Sequence, residues 1–122
     1  MPHKTEWKHN GVVINFFGTL KAQEVLEINS ILYGDSRFEE MEYQLFDFLE
    51  VKELIASNID AKVIGTLDKQ ASIWNNHIKG ALITTNPRLI ELISIYTDVI
   101  KDTNWQVKIF NDLESANEWI RS

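Results

Sequence analysis

Cysteine is absent from this chain of 122 residues. The absence excludes a disulfide framework, a thiolate nucleophile and any metal site built from cysteine. Long apolar runs are missing too, since no stretch approaches the ~20 residues that span a bilayer and no apolar segment follows Met1. We therefore expect a cytoplasmic protein without a transmembrane segment. A single domain over residues 1–122 is predicted, because domains commonly contain about 100–150 residues.

Positive charge is scarce. The chain has 12 lysine and arginine residues against 18 aspartate and glutamate residues, a net charge of −6, and no basic cluster. This balance disfavours binding to nucleic acid or to an anionic membrane. Acidic residues concentrate between positions 35 and 53, where seven acidic side chains accompany two basic ones. We interpret this stretch as a solvated rim.

Recognisable catalytic motifs are also lacking. The three histidines, His3, His9 and His77, are far apart and show no metal-binding spacing. No phosphate-binding loop, nucleophile elbow or dinucleotide-binding fingerprint occurs. The sequence therefore predicts a protein that is not an enzyme and that holds neither a metal nor a cofactor.

One carboxylate nevertheless stands among apolar neighbours. Asp47 falls within a buried strand that the apolar run Tyr43–Val51 predicts. A carboxylate in such surroundings is a candidate for acid–base chemistry, but it has no identifiable partner in the sequence. We interpret it as an acceptor for backbone amides. Since ligands of α/β sheets gather where the strands end, we expect function first in the loop Leu49–Ser57.

The chain opens with a predicted hairpin. Asn10-Gly11 favours a type I′ turn between a weak edge strand and the strand Val12–Phe17, which Gly18 is expected to end. Thr19 is then predicted to cap a helix that stops at Gly34.

The second helix shows the cleanest amphipathic pattern. Ser57 is its predicted N-cap, with Asp60 at the third helical position. Gly65 weakens the pattern and indicates a kink or close packing, and Asp68-Lys69 is interpreted as solvated surface. The residues predicted to form the core-facing stripe recur at spacings of three and four: Ile59, Val63, Leu67, Ala71 and Trp74.

A third helix is predicted from Asn86-Pro87 to Lys101, after a strand over 78–84. Its apolar residues cover an arc of roughly 220°, wider than the usual core-facing stripe. A neighbouring element, a ligand or a second subunit is expected to cover the excess, and we favour a homodimer. The predicted interface consists of Leu89, Leu92, Ile93, Ile95, Tyr96 and Val99.

Residues 106–110 predict a last strand, and Asn111 with Glu114 predicts a capped final helix that carries Trp119 as a core residue. The order β-β-α-β-α-β-α-β-α indicates an α/β fold. An N-terminal antiparallel hairpin leads into a mostly parallel five-stranded sheet, with four helices distributed over both faces.

Three segments resemble a known family. Gly11–Leu20 is similar to its strand-Gly-x-Leu opening, Gly34–Phe38 precedes a strand ending in Phe46-Asp47-Phe48, and Val107–Ile120 is similar to its closing strand, acidic cap and helix. Together they resemble the small SpoIIAA-like proteins, also called STAS/SEC14-domain proteins, over nearly the whole chain. The resemblance implies the STAS fold and a non-enzymatic regulatory or protein-interaction module.

The resemblance also implies two alternatives. The SEC14-like label implies a carrier of a small apolar, lipid-like ligand, for which Trp7, Trp74 and Trp105 are candidate pocket residues. In the family's antagonists a serine is phosphorylated by a partner kinase, and Ser57 occupies that position, although Ile55-Ala56-Ser57-Asn58 lacks the family's aspartate and glycine. Ser57 is therefore the candidate phosphorylation site. The candidate binding residues are Asp47, Ser57, Asp60, Trp74 and Tyr96.

Overall fold

A computed structural model describes residues 3–122, and Met1 and Pro2 lie outside the described residues. It confirms the predicted order of strands and helices and adds a short 3-10 helix in the acidic connection. The elements are β1 His3–Trp7, β2 Gly11–Lys21, α1 Ala22–Gly34, the 3-10 helix Ser36–Glu40, β3 Tyr43–Ile55, α2 Asn58–Ala71, β4 Lys79–Ile83, α3 Pro87–Ile100, β5 Gln106–Phe110 and α4 Leu113–Arg121.

The five strands form one sheet in the order β1-β2-β3-β4-β5, with β1 antiparallel to β2 and the other neighbours parallel. Each parallel strand is added on the same side of the one before. Right-handed crossovers must then place their helices on one face of the sheet, and α1, α2 and α3 pack there on the larger core. The last helix, α4, is not a crossover and closes the opposite face around Ala116. The α/β fold class is confirmed.

The parallel pair β2–β3 extends well beyond the sheet. β3 pairs with β4 only over Tyr43–Asp47, whereas its pairing with β2 continues to Ile55. We had expected β2 to stop at Gly18 and β3 at Val51. Gly18 instead stays within β2 with a φ of +71°, which glycine tolerates, beside a register shift in the pairing. The predicted loop Leu49–Ser57 is therefore mostly strand.

Two turn and cap predictions at the start of the chain are wrong. Lys8 N–H donates to the Gly11 carbonyl at 2.8 Å and closes the hairpin. Among residues 3–122 a positive φ occurs only at Gly18, so Asn10-Gly11 does not form a type I′ turn. Thr19 does not cap α1, because it lies inside β2 with its hydroxyl 3.3 Å from a Glu53 carboxylate oxygen.

The later helix starts agree better with prediction. Asn86 caps α3 by accepting hydrogen bonds from the amides of Arg88 and Leu89 at 2.8 and 3.2 Å, which confirms the predicted start. For α4 the predicted cap is one residue early. Asp112, not Asn111, accepts the hydrogen bond from the Ser115 amide at 2.7 Å.

Candidate functional site

The outer face of α2 is apolar, contrary to prediction. Of the stripe that we expected in the core, only Ala71 is buried. The other four side chains point to solvent: Ile59 is 72% exposed, Val63 42%, Leu67 38% and Trp74 71%. We call these four residues the α2 outer stripe. At 1.5 Å per residue the stripe is about 22 Å long.

The inner face of α2 carries small residues and one carboxylate: Ala61, Gly65, Asp68 and Ala71. Gly65 allows α2 to approach α3 closely. A Cβ atom at position 65 would lie 2.8 Å from the Cβ atom of Val99. The glycine therefore marks close packing, one of the two alternatives that the sequence left open, and close packing explains why small residues take the inside of this helix.

Asp68 is buried, so its interpretation as solvated surface is wrong. One carboxylate oxygen accepts a hydrogen bond from the Asn29 amide at 3.2 Å, and the other accepts one from the Tyr96 hydroxyl at 2.5 Å. Burial raises the pKa of Asp68 to about 7, and the hydrogen bond from Tyr96 offsets only part of that effect. The pKa of Tyr96 also lies well above its usual value, because of burial and the neighbouring carboxyl group. This cluster joins α1, α2 and α3.

A mainly apolar cavity of about 100 Å³ lies beneath the three helices, between them and the sheet. Asp68 and Tyr96 are at its wall, together with Gln44, Phe46 and Trp105. An engineered 150 Å³ cavity can hold benzene, so this space suits a molecule of only a few non-hydrogen atoms.

The first turn of α2 has the predicted cap. Ser57 Oγ accepts a hydrogen bond from the Asp60 amide at 3.2 Å, while the Asp60 carboxylate accepts one from the Ser57 amide at 2.8 Å. This reciprocal pair is a capping box, and Ser57 is exposed. Asp60 thus has a structural role in the helix start.

A groove of about 560 Å³ separates the end of α1 from the end of α2. Tyr33 and Phe38 line it from one side, and Leu67 and Trp74 line it from the other. The Tyr33 hydroxyl is buried, and within residues 3–122 it has no hydrogen-bond partner. Glu39 lines the same groove. Among residues 3–122, no hydrogen bond or ion pair engages its carboxylate.

Asn75 fixes the position of this groove. Its side-chain amide donates to the carbonyl groups of Phe38 and Met41, both at 2.7 Å. The backbone carbonyl of Asn75 accepts a hydrogen bond from the Trp105 indole N–H at 2.6 Å. The chain just beyond Trp74 is therefore tied to the 3-10 helix and to the core.

Asp47 has the backbone role that we favoured from the sequence. Its carboxylate accepts a hydrogen bond from the Leu49 amide at 3.0 Å. The pairing of β2 with β3 shifts register here, because Asn15 lies opposite Asp47 while Phe17 lies opposite Glu50. The extra residue makes a β-bulge, and the carboxylate supports it.

The five candidate binding residues do not converge on one site. Ser57 and Asp60 start α2, whereas Trp74 follows its other end, about 25 Å away at the rise of a helix. Tyr96 points into the three-helix cluster with Asp68. The three candidate pocket tryptophans are separated as well. Trp105 is buried at the cavity. Trp7 lies beneath Arg37, whose guanidinium carbon is 3.5 Å from the centroid of the Trp7 ring.

Much of the apolar face of α3 is covered from within the chain. Three of the predicted interface residues, Leu89, Leu92 and Ile93, are buried. The remaining three, Ile95, Tyr96 and Val99, are partly buried. The neighbouring element that the sequence offered as one alternative is α2, which approaches α3 at Gly65. The width of the arc therefore needs no second subunit.

Sequence reasoning missed the groove and the buried cluster. Tyr33, Glu39 and Asn29 belong to a different part of the chain from α2, so no local pattern joined them. One usable signal was present. Ala61 and Gly65 are four residues apart, so they share one face of the helix, where small residues allow a neighbouring helix to approach closely.

Comparison with known proteins identifies the fold. The sequence matches no protein-family model and no curated protein. Within residues 3–122 no helix is both long and apolar enough to cross a membrane. Among solved structures, the anti-sigma factor antagonist SpoIIAA in its unphosphorylated form matches with a TM-score of 0.65 and 14% identity, over 98% of both chains.

Two further solved structures agree. An anti-sigma factor antagonist from Mycobacterium paratuberculosis gives a TM-score of 0.63 at 11% identity, over 98% of this chain and 93% of its own. A protein from Shewanella loihica described as having a SpoIIAA-like fold gives 0.55 at 16% identity, over 97% and 91%. Identities this low establish architecture and leave chemistry to be argued from the residues. The chain therefore has the SpoIIAA-like fold of STAS domains.

Proposed function

We propose that this protein is a non-enzymatic STAS-like regulatory module that binds a partner protein through the α2 outer stripe. The observation that carries the proposal is the solvent exposure of Ile59, Val63 and Leu67 along one face of α2 and of Trp74 in the turn that follows the helix. Scattered apolar residues are ordinary on a protein surface, but contiguous patches mark interaction sites.

The rest of the molecule supports this assignment. The inner face of α2 supplies the buried residues of this helix, so Ile59 and Trp74, at 72% and 71% exposed, contribute little to folding. Two similar structures are described as anti-sigma factor antagonists, proteins named for acting on another protein factor. We place the module in the cytoplasm, as expected from the sequence.

Photo-crosslinking from within native cells tests the proposal. Benzoylphenylalanine at Val63 should give one dominant adduct, and the same group at Lys108, an exposed position on β5, should not. Adding Ile59→Ser and Leu67→Ser to the Val63 probe should remove the adduct, because they make the stripe polar. An adduct pattern shared by both probe positions, or none at Val63, would count against the docking face.

Phosphorylation of Ser57 is a second proposal, because the serine is exposed at the start of the same helix, two residues before Ile59. A helix N-terminus favours a phosphate group, but the neighbouring Asp60 carboxylate opposes it. The added charge would lie beside the docking face. Ser57→Asp should weaken the Val63 adduct while Ser57→Ala keeps it. If the two variants give the same yield of the Val63 adduct, the phosphorylation proposal fails and Ser57 acts only as the cap of α2.

An apolar ligand in the cavity remains the alternative function. The volume of about 100 Å³ restricts that ligand to a small molecule in this conformation. Native mass spectrometry reads retained mass and oligomeric state together. A monomer with a small added mass would support the carrier.

The homodimer stays a prediction. Because much of the α3 face is covered, the α2 outer stripe is the surface that we propose for the dimer interface. A bare dimer that Leu67→Ser converts to monomer would support that placement.

A further inference from the structure

We propose that the groove between the ends of α1 and α2 holds an arginine side chain from the partner's segment. We call it the cation groove, and it is lined by Tyr33, Asp35, Phe38, Glu39, Leu67 and Trp74. This inference rests on the proposed docking face, because Leu67 and Trp74 belong to both. It adds the chemical character of the partner, an apolar segment that carries arginine.

The first argument is the volume and rigidity of the groove. The groove is a surface hollow of about 560 Å³, against about 100 Å³ for the cavity beneath the helices. Phe38 forms its floor and is 2% exposed, with the Tyr33 ring packed edge-on against it at 5.3 Å between centroids. The hydrogen bonds from Asn75, the residue after Trp74, fix the Trp74 side of the groove relative to the Phe38 side. A preformed groove loses little entropy when it is occupied.

The second argument is an unpaired carboxylate at the groove. Glu39 is exposed, and among the described residues its carboxylate has no ion-pair partner. A carboxylate attracts positive charge and accepts hydrogen bonds, so a cationic ligand that donates several N–H groups would satisfy it. The Tyr33 hydroxyl has almost no accessible surface, so a ligand in the groove does not reach it in this conformation.

The third argument is the combination of aromatic faces with negative charge. Trp74 presents an indole ring that is 71% exposed. Indole faces attract cations, and arginine stacks on them while its apolar stem covers neighbouring carbons such as those of Leu67. Arginine also donates in a fork that fits a carboxylate, which a lysine does not. The net charge of −6 favours the approach of a basic segment.

The chain contains its own example of this recognition at the edge of the groove. Arg37 donates to the Asp35 carboxylate from Nε at 2.9 Å and from Nη2 at 2.8 Å. Its guanidinium also stacks over the Trp7 ring at 3.5 Å. These hydrogen bonds lower the pKa of Asp35 to about 2, so that carboxylate is already engaged. Glu39 and Trp74 likewise offer a carboxylate and an indole ring, but no arginine of the described residues is bound to them.

The test uses the full chain labelled with ¹⁵N and a short helical peptide of leucine and arginine. Its control is the same peptide with each arginine replaced by citrulline, which is neutral and nearly isosteric. The arginine peptide should shift the Trp74 indole and Glu39 amide signals and leave the buried Trp105 indole in place. Citrulline should weaken binding by roughly ten-fold, since it removes both the ion pair and the cation–π contact.

Matched variants sharpen the result. Glu39→Gln should weaken the arginine peptide about three-fold to five-fold, whereas Glu40→Gln, which changes the exposed neighbour outside the groove, should not. Trp74→Leu should cost a similar factor while keeping an apolar side chain. Equal affinity for the two peptides, or equal effects of Glu39→Gln and Glu40→Gln, overturns the cation groove.

The same spectra separate this inference from the proposed function. Shifts along Ile59 and Val63 that do not depend on arginine would keep the docking face and reject the cation groove. Shifts confined to Trp74 and Glu39 would keep the groove and reject the longer docking face. An absence of shifts anywhere on α2 with either peptide would reject both.

Discussion

The two faces of α2 differ in a way that reverses the usual arrangement. Large apolar side chains, such as Ile59 and Val63, point to solvent, while the interior receives Gly65 and Asp68. Amphipathic helices normally bury their larger apolar residues. The reversal shows that a close helix contact and a shared polar cluster can determine which face is buried. It also leaves the larger side chains free for another molecule.

The largest expected effect concerns the buried carboxyl group. The folded chain holds the Asp68 proton up to about pH 7, whereas the unfolded chain loses it near the usual pKa of 3.8. Unfolding therefore releases a proton between these values, and the free energy of unfolding falls as pH rises through this window. The fall attributable to Asp68 is at most about 4 kcal/mol. Asp68→Asn should remove that part of the pH dependence, because an amide does not titrate.

Chemical denaturation at pH 5 and pH 8 covers roughly two pH units of this window, so wild type should lose about 2–3 kcal/mol that Asp68→Asn does not lose. Asparagine can accept from Asn29 and donate to the Tyr96 hydroxyl, so the fold should persist. Asp98→Asn is the control, because that side chain is 74% exposed on α3. If Asp68→Asn and wild type lose the same stability between the two pH values, Asp68 ionises as freely in the folded chain as in the unfolded one.

An intermediate effect is expected at the close contact between α2 and α3. Gly65→Ala gains helix propensity of about 1 kcal/mol but places its Cβ against Val99. Overpacking commonly costs about 1–3 kcal/mol, so we expect a net loss of about 1–2 kcal/mol of unfolding free energy. Gly34→Ala is the matched control, because its added Cβ meets nothing within 4 Å. A Gly65→Ala variant as stable as Gly34→Ala would mean that the helices separate without cost.

The smallest effect is expected on the outer stripe. Ile59→Ser should change the free energy of unfolding by less than about 0.5 kcal/mol, because the side chain is already 72% exposed. Leu92→Ser on the buried side of α3 should cost about 2–5 kcal/mol by comparison. Thermal unfolding of the two variants measures the contrast. A large loss from Ile59→Ser would show that the stripe supports the fold after all.

The sequence predicted the order of elements well, because strand and helix periodicities and the Ser57 and Asn86 caps are local signals. It failed where the decisive neighbours are distant. Gly18 resembles a strand end, yet it remains in β2 opposite an irregular stretch of β3. Periodicity located α2 but assigned the wrong face to the core, since a stripe of large residues does not show what lies beside it.

The candidate site was predictable only in part. Trp74 and Ser57 were named, and both lie on or beside the proposed docking face. Glu39 and Tyr33 were not, because the turn that brings them opposite Trp74 depends on a 3-10 helix hidden in an acidic stretch. The six α3 residues were assigned to an interface on the width of an apolar arc. That width reflects α2 packing against α3 at Gly65.

The extension of β2 and β3 beyond the sheet has a consequence for motion. Past Asp47, β3 is paired on one side only, so its amides depend on a single ribbon of hydrogen bonds. Segments held in this way open at lower free energy than a central strand, and their amide protons exchange sooner. Ile55 ends the ribbon two residues before Ser57, the cap of α2. The ribbon is thus the segment expected to open first beside the start of α2, the helix that carries the proposed docking face.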